Sequence, residues 1–557
     1  MNNNSESRIC QNCKGKFIVE SEDFKFYEKI KVPSPTFCPE CRFMRRMTWR
    51  NERCLYYREC AKCNTRIISI YSKEKPFPVY CNTCWWGDKW DVIDYGISYD
   101  SSKSFFSQLE ELFNKVPRLA LPSFKNNNCE YTSWLDESKN CYMAFGSSRC
   151  EDVLFSETLQ DCKYSIDLTN CDSVDFSYNS VYCRNSNNIQ YCVNSDSCVD
   201  CYFSFDLKGC QNCFLSYNLR HKNYMIFNKQ YSPEEWKKQI ERILGNRKLL
   251  KESLEQFKKV FKTQAIHRFA DIQKSYNSTG NNLMECKNAL TCFDSKMIED
   301  CQYVTYGGSV KDCADLYGVM RNSELCYEGF SITGSSYCIS VLGSWGQNIN
   351  IQYSQYTGSC QNIFGCNAIR KKSFCILNKQ YSEPEYKKIT ELIIKEMKEK
   401  GTYGGFFPIE MSPYGYNETV ANVFFPMTKE NALKAGYKWQ DNTGGVFGKA
   451  TILGNQLPNS IKETDESILK EIIECSKCGK NYKIVKQEFD SYRKLNVPIP
   501  DKCIDCRFKE RLEFCLPRKL WHRKCMKPDC TNEFETSYAP DRPEIVYCER
   551  CYQQEVY

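Results

Sequence analysis

Two sets of eight cysteines, one near each end of the chain, share the same order and the same gaps, and nothing else constrains the fold so tightly. The first set is Cys10, Cys13, Cys38, Cys41, Cys60, Cys63, Cys81 and Cys84; the second is Cys475, Cys478, Cys503, Cys506, Cys525, Cys530, Cys548 and Cys551. Gaps of 24, 18 and 17 residues separate successive pairs in both. Two thiolates two to four residues apart curl round one ion, and a second such pair closes a tetrahedron of four sulfurs. Consecutive pairing predicts four structural Zn²⁺ ions, two per module. An interleaved cross-brace, in which the first and third pairs share an ion, fits the same spacing; the consecutive form is preferred because each two knuckles enclose a short hairpin or helix. No position in either set accepts water, so the sites read as closed and structural. A redox reading of the CxxC pairs is weaker, since thioredoxin-like pairs occur singly in a βαβ setting. Zinc in segments this small contributes on the order of 10 kcal/mol to folding.

The modules repeat between their cysteines as well. FKFYEKIKVPSPTFCPECRF parallels FDSYRKLNVPIPDKCIDCRF, and Arg-Phe follows the second knuckle in each. Cys54 and Cys515 lie outside the matched positions and are expected as buried thiols. Basic residues crowd the next stretch, interleaved with aromatics, as RFMRRMTWRNERCLYYR and RFKERLEFCLPRKLWHRK. Guanidinium groups neutralise phosphates, and exposed aromatic rings stack on unpaired bases. This pattern predicts a nucleic-acid or ribonucleoprotein surface made of Arg42, Arg45, Arg46, Trp49, Arg50, Arg53, Arg507, Lys509, Arg511, Lys519 and Arg523, with RNA or DNA as partner. The competing expectation is that these arginines pair with neighbouring acids while the aromatics fill a small core around zinc. A formal net charge of +7 over 557 residues is too small to decide between the two.

Between the modules the cysteines keep a longer rhythm. Cys129, Cys141, Cys150, Cys162, Cys171, Cys183, Cys192, Cys201 and Cys210 are separated by steps of 12 and 9, and Cys292, Cys301, Cys313, Cys326, Cys338 and Cys360 resume the pattern. Alternating segments such as KYSIDL and CYFSF read as short strands, with Asn, Asp, Ser and Gly as turns. The expected fold is mainly β: a right-handed β-helix-like solenoid in two blocks, with an expected period of 21 residues per coil, inserted helices and the two double-zinc modules as flanks. Cysteine is a small, readily buried filler, so the interior thiols are expected to be packing; Cys198 with Cys201, Cys210 with Cys213, and Cys360 with Cys366 are the closest to ligand spacing.

Both blocks close alike, on FNKQYSPEEWKK and LNKQYSEPEYKK. Ser232 with Glu235, and Ser382 with Glu385, form capping boxes that open helices. An apolar stripe interrupted at Gly245-Asn246 predicts a helical hairpin, and Gly401 ends the second helix. The resulting division is 1–95 for the first zinc module, 120–230 for the first block, 231–265 for the hairpin, 266–381 for the second block, 382–400 for a capping helix, 401–465 for an extended connecting segment and 470–557 for the second zinc module.

RICQNC, DFKFYEKIKVPSPTFCPECR, KPFPVYC with WWGDKWD, FNKQYSPEEW and SPYGYNET together resemble an uncharacterised cysteine-rich zinc-ribbon family widespread in candidate-phyla-radiation bacteria. The resemblance spans nearly the full length and implies zinc binding without implying a reaction. A coenzyme A transferase label attached to similar sequences finds no α/β pattern or coenzyme A site here.

The opening MNNNSESRIC lacks the charged start and apolar run of a secretory signal, and no stretch reaches membrane-spanning length. A reducing cytoplasm is therefore expected, with no membrane and no small-molecule cofactor. His221, His267 and His522 are scattered and match no zinc-hydrolase or deaminase spacing. Three functional classes follow: a nucleic-acid binder, a scaffold gripping a protein assembly through its duplicated modules, and a β-helix enzyme acting on a polysaccharide through paired carboxylates. More is expected of binding than of catalysis.

Overall fold

The computed structural model describes residues 5–157, 161–168, 174–181, 184–318, 321 and 323–557. The chain is mainly β, with helices between and around the strands. It divides into two compact units. One holds Met1–Leu121, Ala270–Thr443 and Arg518–Leu520; the other holds Pro122–Phe269, Gly444–Pro517 and Trp521–Tyr557. Each unit thus combines one cysteine module with the repeat block that lies beyond it in sequence, so the N-terminal module belongs with the second block and the C-terminal module with the first.

Both blocks are parallel ladders with a register of twelve residues. Asn187 faces Val199, Val199 faces Gln211, and Gln211 faces Asn223; in the second block Lys287 faces Glu299, and Gln361 faces Ser373. Two repeats there carry one extra residue, Ala314 facing Tyr327 and Ser335 facing Asn348. The expected 21-residue period is corrected accordingly. A step of twelve returns a cysteine to the same position of the repeat, and a step of nine leaves it three residues short, so 21 sums two different relations.

Within each repeat a left-handed residue recurs at every third position: Asn128, Tyr131, Trp134, Glu137, Asn140 and Met143 all have φ near +50°. Such a conformation costs an L-residue roughly 1–2 kcal/mol. It is maintained because the same residue's N–H pairs with the preceding repeat, as Asn140 does to the Asn127 carbonyl (2.9 Å) and Met143 to that of Glu130 (3.0 Å).

Small side chains line the interior for a polar reason as well as a steric one. The Cys192 thiol reaches the carbonyls of Gln190 and Cys201, at 3.5 and 3.1 Å, and Ser180 Oγ reaches those of Tyr178 and Ile189, both at 3.3 Å. Cys360 repeats the relation with Gly358 and Ile369, both at 3.4 Å. Cysteine and serine are interchangeable here because each is small and carries one hydrogen for an inward-facing carbonyl. Cys198, Cys201, Cys210, Cys213, Cys360 and Cys366 are all buried in this way. Cys171 and Cys183 lie outside the described residues.

The Asn-Lys-Gln-Tyr segments end each ladder. Lys229–Gln230 turns back antiparallel on Asn223–Ile226, and Lys379–Gln380 does so on Ser373–Ile376. The Asn228 side chain stands in for a further strand: its Oδ1 accepts from the Tyr217 N–H and its Nδ2 donates to the Tyr217 carbonyl, both at 2.9 Å. Asn378 does the same on Asn367. An edge that would template another strand is thereby closed. The capping boxes then open Pro233–Leu244 and Glu383–Glu399, and Asn246 caps Arg247–Thr263 to complete the hairpin.

The segment 401–465 is not extended throughout. It forms the short helices Val420–Phe424 and Lys429–Lys434, and Phe407 and Tyr414 bring its first part against Trp49 and Tyr71 of the module in their unit. Aromatic burial there outweighs what an exposed connector would retain.

Candidate metal centres and the arginines beside them

Each metal centre is built from two local devices. The first cysteine pair sits in a tight turn after a strand, with a left-handed residue at Lys14, Asn64, Gly479 or Asp529. The second pair begins at a helix N-terminus: Cys38, Cys81, Cys503 and Cys548 are the N-cap residues of Pro39–Met47, Asn82–Trp86, Ile504–Leu512 and Glu549–Val556. The positive end of a helix favours a thiolate at that position.

The sulfurs gather as Cys10, Cys13, Cys38 and Cys41; Cys60, Cys63, Cys81 and Cys84; Cys475, Cys478, Cys503 and Cys506; and Cys525, Cys530, Cys548 and Cys551. Within each group all lie within 4.8 Å of one another. The grouping is consecutive rather than interleaved. Cys13 and Cys38 are 3.8 Å apart, Cys63 and Cys81 3.9 Å, Cys478 and Cys503 3.6 Å, and Cys530 and Cys548 3.9 Å. A tetrahedron with metal–sulfur bonds of about 2.3 Å has edges of about 3.8 Å. All sixteen are free thiols, far beyond bonding distance for a disulfide. One further hydrogen bond recurs four times: the N–H of the third cysteine donates to the sulfur of the first, at 3.3, 3.3, 3.2 and 3.3 Å along the chain. These donors supply the outer-shell support that orients thiolate ligands.

The basic stretches have a different place from the one expected. Arg42 and Arg46 lie one helical turn apart and point into their unit, where Arg42 Nε meets Asp315 at 2.9 Å and Arg46 meets Asp315 at 3.0 Å and Glu328 at 2.6 Å. In the other unit Arg507 and Arg511, equally spaced, meet Asp167 at 2.7 and 3.1 Å. None of these side chains is more than 3% exposed. Arg50 is buried with Glu52 and Ser331, and Trp49 is buried against Phe406 and Phe407. Arg42, Arg46, Arg50, Arg507 and Arg511 are therefore corrected from nucleic-acid contacts to residues that join a module to its ladder, and Trp49 to one that packs on the 401–465 segment. Burial pulls the Arg42 and Arg507 guanidinium groups down, yet Asp315 and Asp167 hold them well above their ordinary values.

The remaining predicted contacts differ in exposure. Arg45 is half-buried on the Phe406 and Phe407 carbonyls, Arg53 is half-buried, and Arg523 donates to the Ala539 carbonyl. Lys509 and Lys519 are exposed, the latter 2.9 Å from Glu40. Cys54 and Cys515 are half-buried rather than buried.

The acids that receive the arginines were not singled out in the sequence, although a signal exists. Asp167-Leu168 and Asp315-Leu316 place a charge inside otherwise apolar strand segments, and Arg-x3-Arg follows the second knuckle in both modules. Two further acids are buried in the modules. Asp23 and Glu488 hold the N-terminal turns of Ser21–Lys29 and Lys486–Leu495 by accepting from the Glu20 and Val485 N–H groups. Burial pushes Asp23 up to about 6 and Glu488 up to about 7.

His267 is buried, with Nε2 donating to the Phe261 carbonyl (2.7 Å) and Nδ1 accepting from Tyr538 (2.8 Å). Burial lowers it to about 4. His522 pairs with Glu533 at the surface, and His221 is exposed. On the ladder surfaces acids alternate with lysines, as in Lys139–Glu151–Lys163 and Lys287–Glu299–Lys311. That interleaving differs from the paired carboxylates expected of a polysaccharide-cleaving groove. Among the described residues no helix is long and apolar enough to cross a membrane.

No protein-family model and no curated protein matches the chain. Among solved structures, a protein from Desulfovibrio desulfuricans G20 described as an acetyltransferase aligns at 9% identity over 50% of this chain and 81% of its own, with a TM-score of 0.11.

Proposed function

We propose that this chain is a non-enzymatic scaffold in which two right-handed β-helix-like bodies, each locked to a zinc module, hold protein partners together. Four thiolates at tetrahedral spacing with no open position suit a redox-silent structural ion, and zinc is the common one. The twelve-residue parallel offset supports a helical winding, and parallel connections are nearly always right-handed. Free thiols at every described cysteine suit a reducing compartment such as the cytoplasm.

One observation carries the reading. In both modules the paired arginines most available for phosphate binding are directed inward onto Asp315, Glu328 and Asp167. The duplication preserves this means of joining module to ladder, and a fixed joint serves a rigid frame. The nucleic-acid reading retains only Arg45, Arg53, Lys509, Lys519 and Arg523.

A binding series with labelled RNA and DNA oligonucleotides, begun at low salt, tests this. The expected result is at most the weak, sequence-independent association of 10⁻⁴–10⁻⁶ M roughly typical of nonspecific contacts. Tight binding with a steep salt slope that is lost in Arg45→Glu and Arg53→Glu would replace the scaffold with a nucleic-acid binder. Metal analysis is expected to return one zinc for each of the four cysteine groups.

A further inference from the structure

The hairpin of the second metal centre, Tyr56–Glu59 with Arg66–Ser69, is a sheet of only two strands. Cys60 donates to the Thr65 carbonyl, so hydrogen-bonded pairs alternate from there: Arg58 with Ile67, then Tyr56 with Ser69. Arg66 and Ile68 consequently aim their N–H and C=O groups away from the partner strand. The next residue of that parity, Ile70, donates to the Ala120 carbonyl at 3.0 Å. Beyond that contact the edge lies open beside a cleft of about 510 Å³, lined by Tyr57, Arg66, Ile67, Ile68, Asn82 and Leu121 among others.

The cleft has the features of a strand-addition site: a free backbone edge, apolar walls and one charge. The Arg66 guanidinium lies 4.4 Å from the centre of the exposed Tyr57 ring. It forms no ion pair among the described residues, and Glu59, its cross-strand neighbour, does not engage it. The equivalent hairpin of the other unit has Glu533 in place of Arg66, and that carboxylate is occupied by His522 and Lys524. The cationic edge is thus specific to one module.

We propose that the outer edge of Arg66–Ser69 is a docking slot for an extended segment of a partner protein that alternates apolar and acidic residues. Main-chain bonds to Arg66 and Ile68 extend the hairpin by one strand, apolar side chains enter between Ile68 and Leu121, and a carboxylate meets Arg66. The inference rests on the scaffold reading and names its partner class. A backbone edge recognises a peptide, whereas a nucleic acid has no matching row of amide groups.

The test is selection of a displayed random heptapeptide library on the full-length, zinc-loaded protein, followed by fluorescence anisotropy with the enriched peptides. Enrichment of Asp or Glu at alternate positions is expected. Arg66→Glu should weaken those peptides about tenfold or more, and Ile68→Pro, which removes an N–H the hairpin does not use, should abolish binding while four metals per chain are retained. Lack of enrichment, or enriched peptides indifferent to Arg66→Glu, overturns the proposal. Oligonucleotide binding would remove the scaffold reading without affecting the Ile68→Pro result, so the two failures are distinguishable.

Discussion

The two units solve the same problem with different reserves of charge. In the unit of the N-terminal module, Arg42 and Arg46 share Asp315, and Arg46 has a second buried acid in Glu328 at 2.6 Å. In the unit of the C-terminal module, Arg507 and Arg511 share Asp167, and Glu488, which belongs to the module itself, is 3.9 Å from Arg507. The two buried arginines that share an aspartate match between the modules, as do the half-buried Arg53 with Arg518 and Arg58 with Arg523, while Arg45 corresponds to Glu510 and the buried Arg50 to Cys515. Duplication has therefore preserved the paired arginines of the joint.

The largest effect expected is common to both units. Removing zinc with a chelator should cost each module on the order of 10 kcal/mol and unfold it, leaving the ladders, whose interiors use thiols only as hydrogen-bonding filler. Circular dichroism that retains a β signal while module resonances vanish would show this; simultaneous loss of both would mean the ladders depend on the modules.

Next in size is the joint. Asp167→Asn removes the carboxylate that two buried guanidinium groups share and should cost about 3–5 kcal/mol, whereas Asp315→Asn leaves Glu328 in place 2.6 Å from Arg46 and should cost less. Denaturant unfolding of the two variants checks the order, and equal losses would break the comparison.

The end caps should behave alike. Asn228→Ala and Asn378→Ala each expose one peptide's N–H and C=O and should cost about 1–3 kcal/mol, read by faster hydrogen exchange in the last repeat of the affected ladder alone.

Smallest is a pH effect. Asp23 and Glu488 have folded values raised above their ordinary ones by burial, so the stability they contribute is complete below about 4 and is lost as pH rises through about 6 for Asp23 and about 7 for Glu488. Glu488→Gln should therefore flatten the decline in melting temperature between about pH 4.5 and 7, and Asp23→Asn should flatten it between about pH 4 and 6. A variant that leaves the profile unchanged would show that the neighbouring arginine keeps the carboxylate ionised throughout.

Much of this was legible in the chain because it is local. Knuckle spacing determines which sulfurs meet, since a few residues of turn and the first turn of a helix suffice to place four of them. The capping boxes at Ser232 and Ser382 and the break at Gly245-Asn246 mark helix ends for the same reason. The cysteine rhythm points to a repeated strand pattern but not to its period of twelve, because cysteines occupy several positions of each repeat and distance along the chain does not say which.

Tertiary structure alone decided how the basic stretches are used and which module accompanies which block. An arginine beside a knuckle reads identically whether it faces solvent or a buried aspartate more than 270 residues away, as Arg42 and Asp315 are. Composition and spacing describe a segment's own surface, while burial depends on what the rest of the chain brings against it. The cysteine modules were specified by their own sequence, but their arginines acquired a role only when the ladders supplied Asp167 and Asp315.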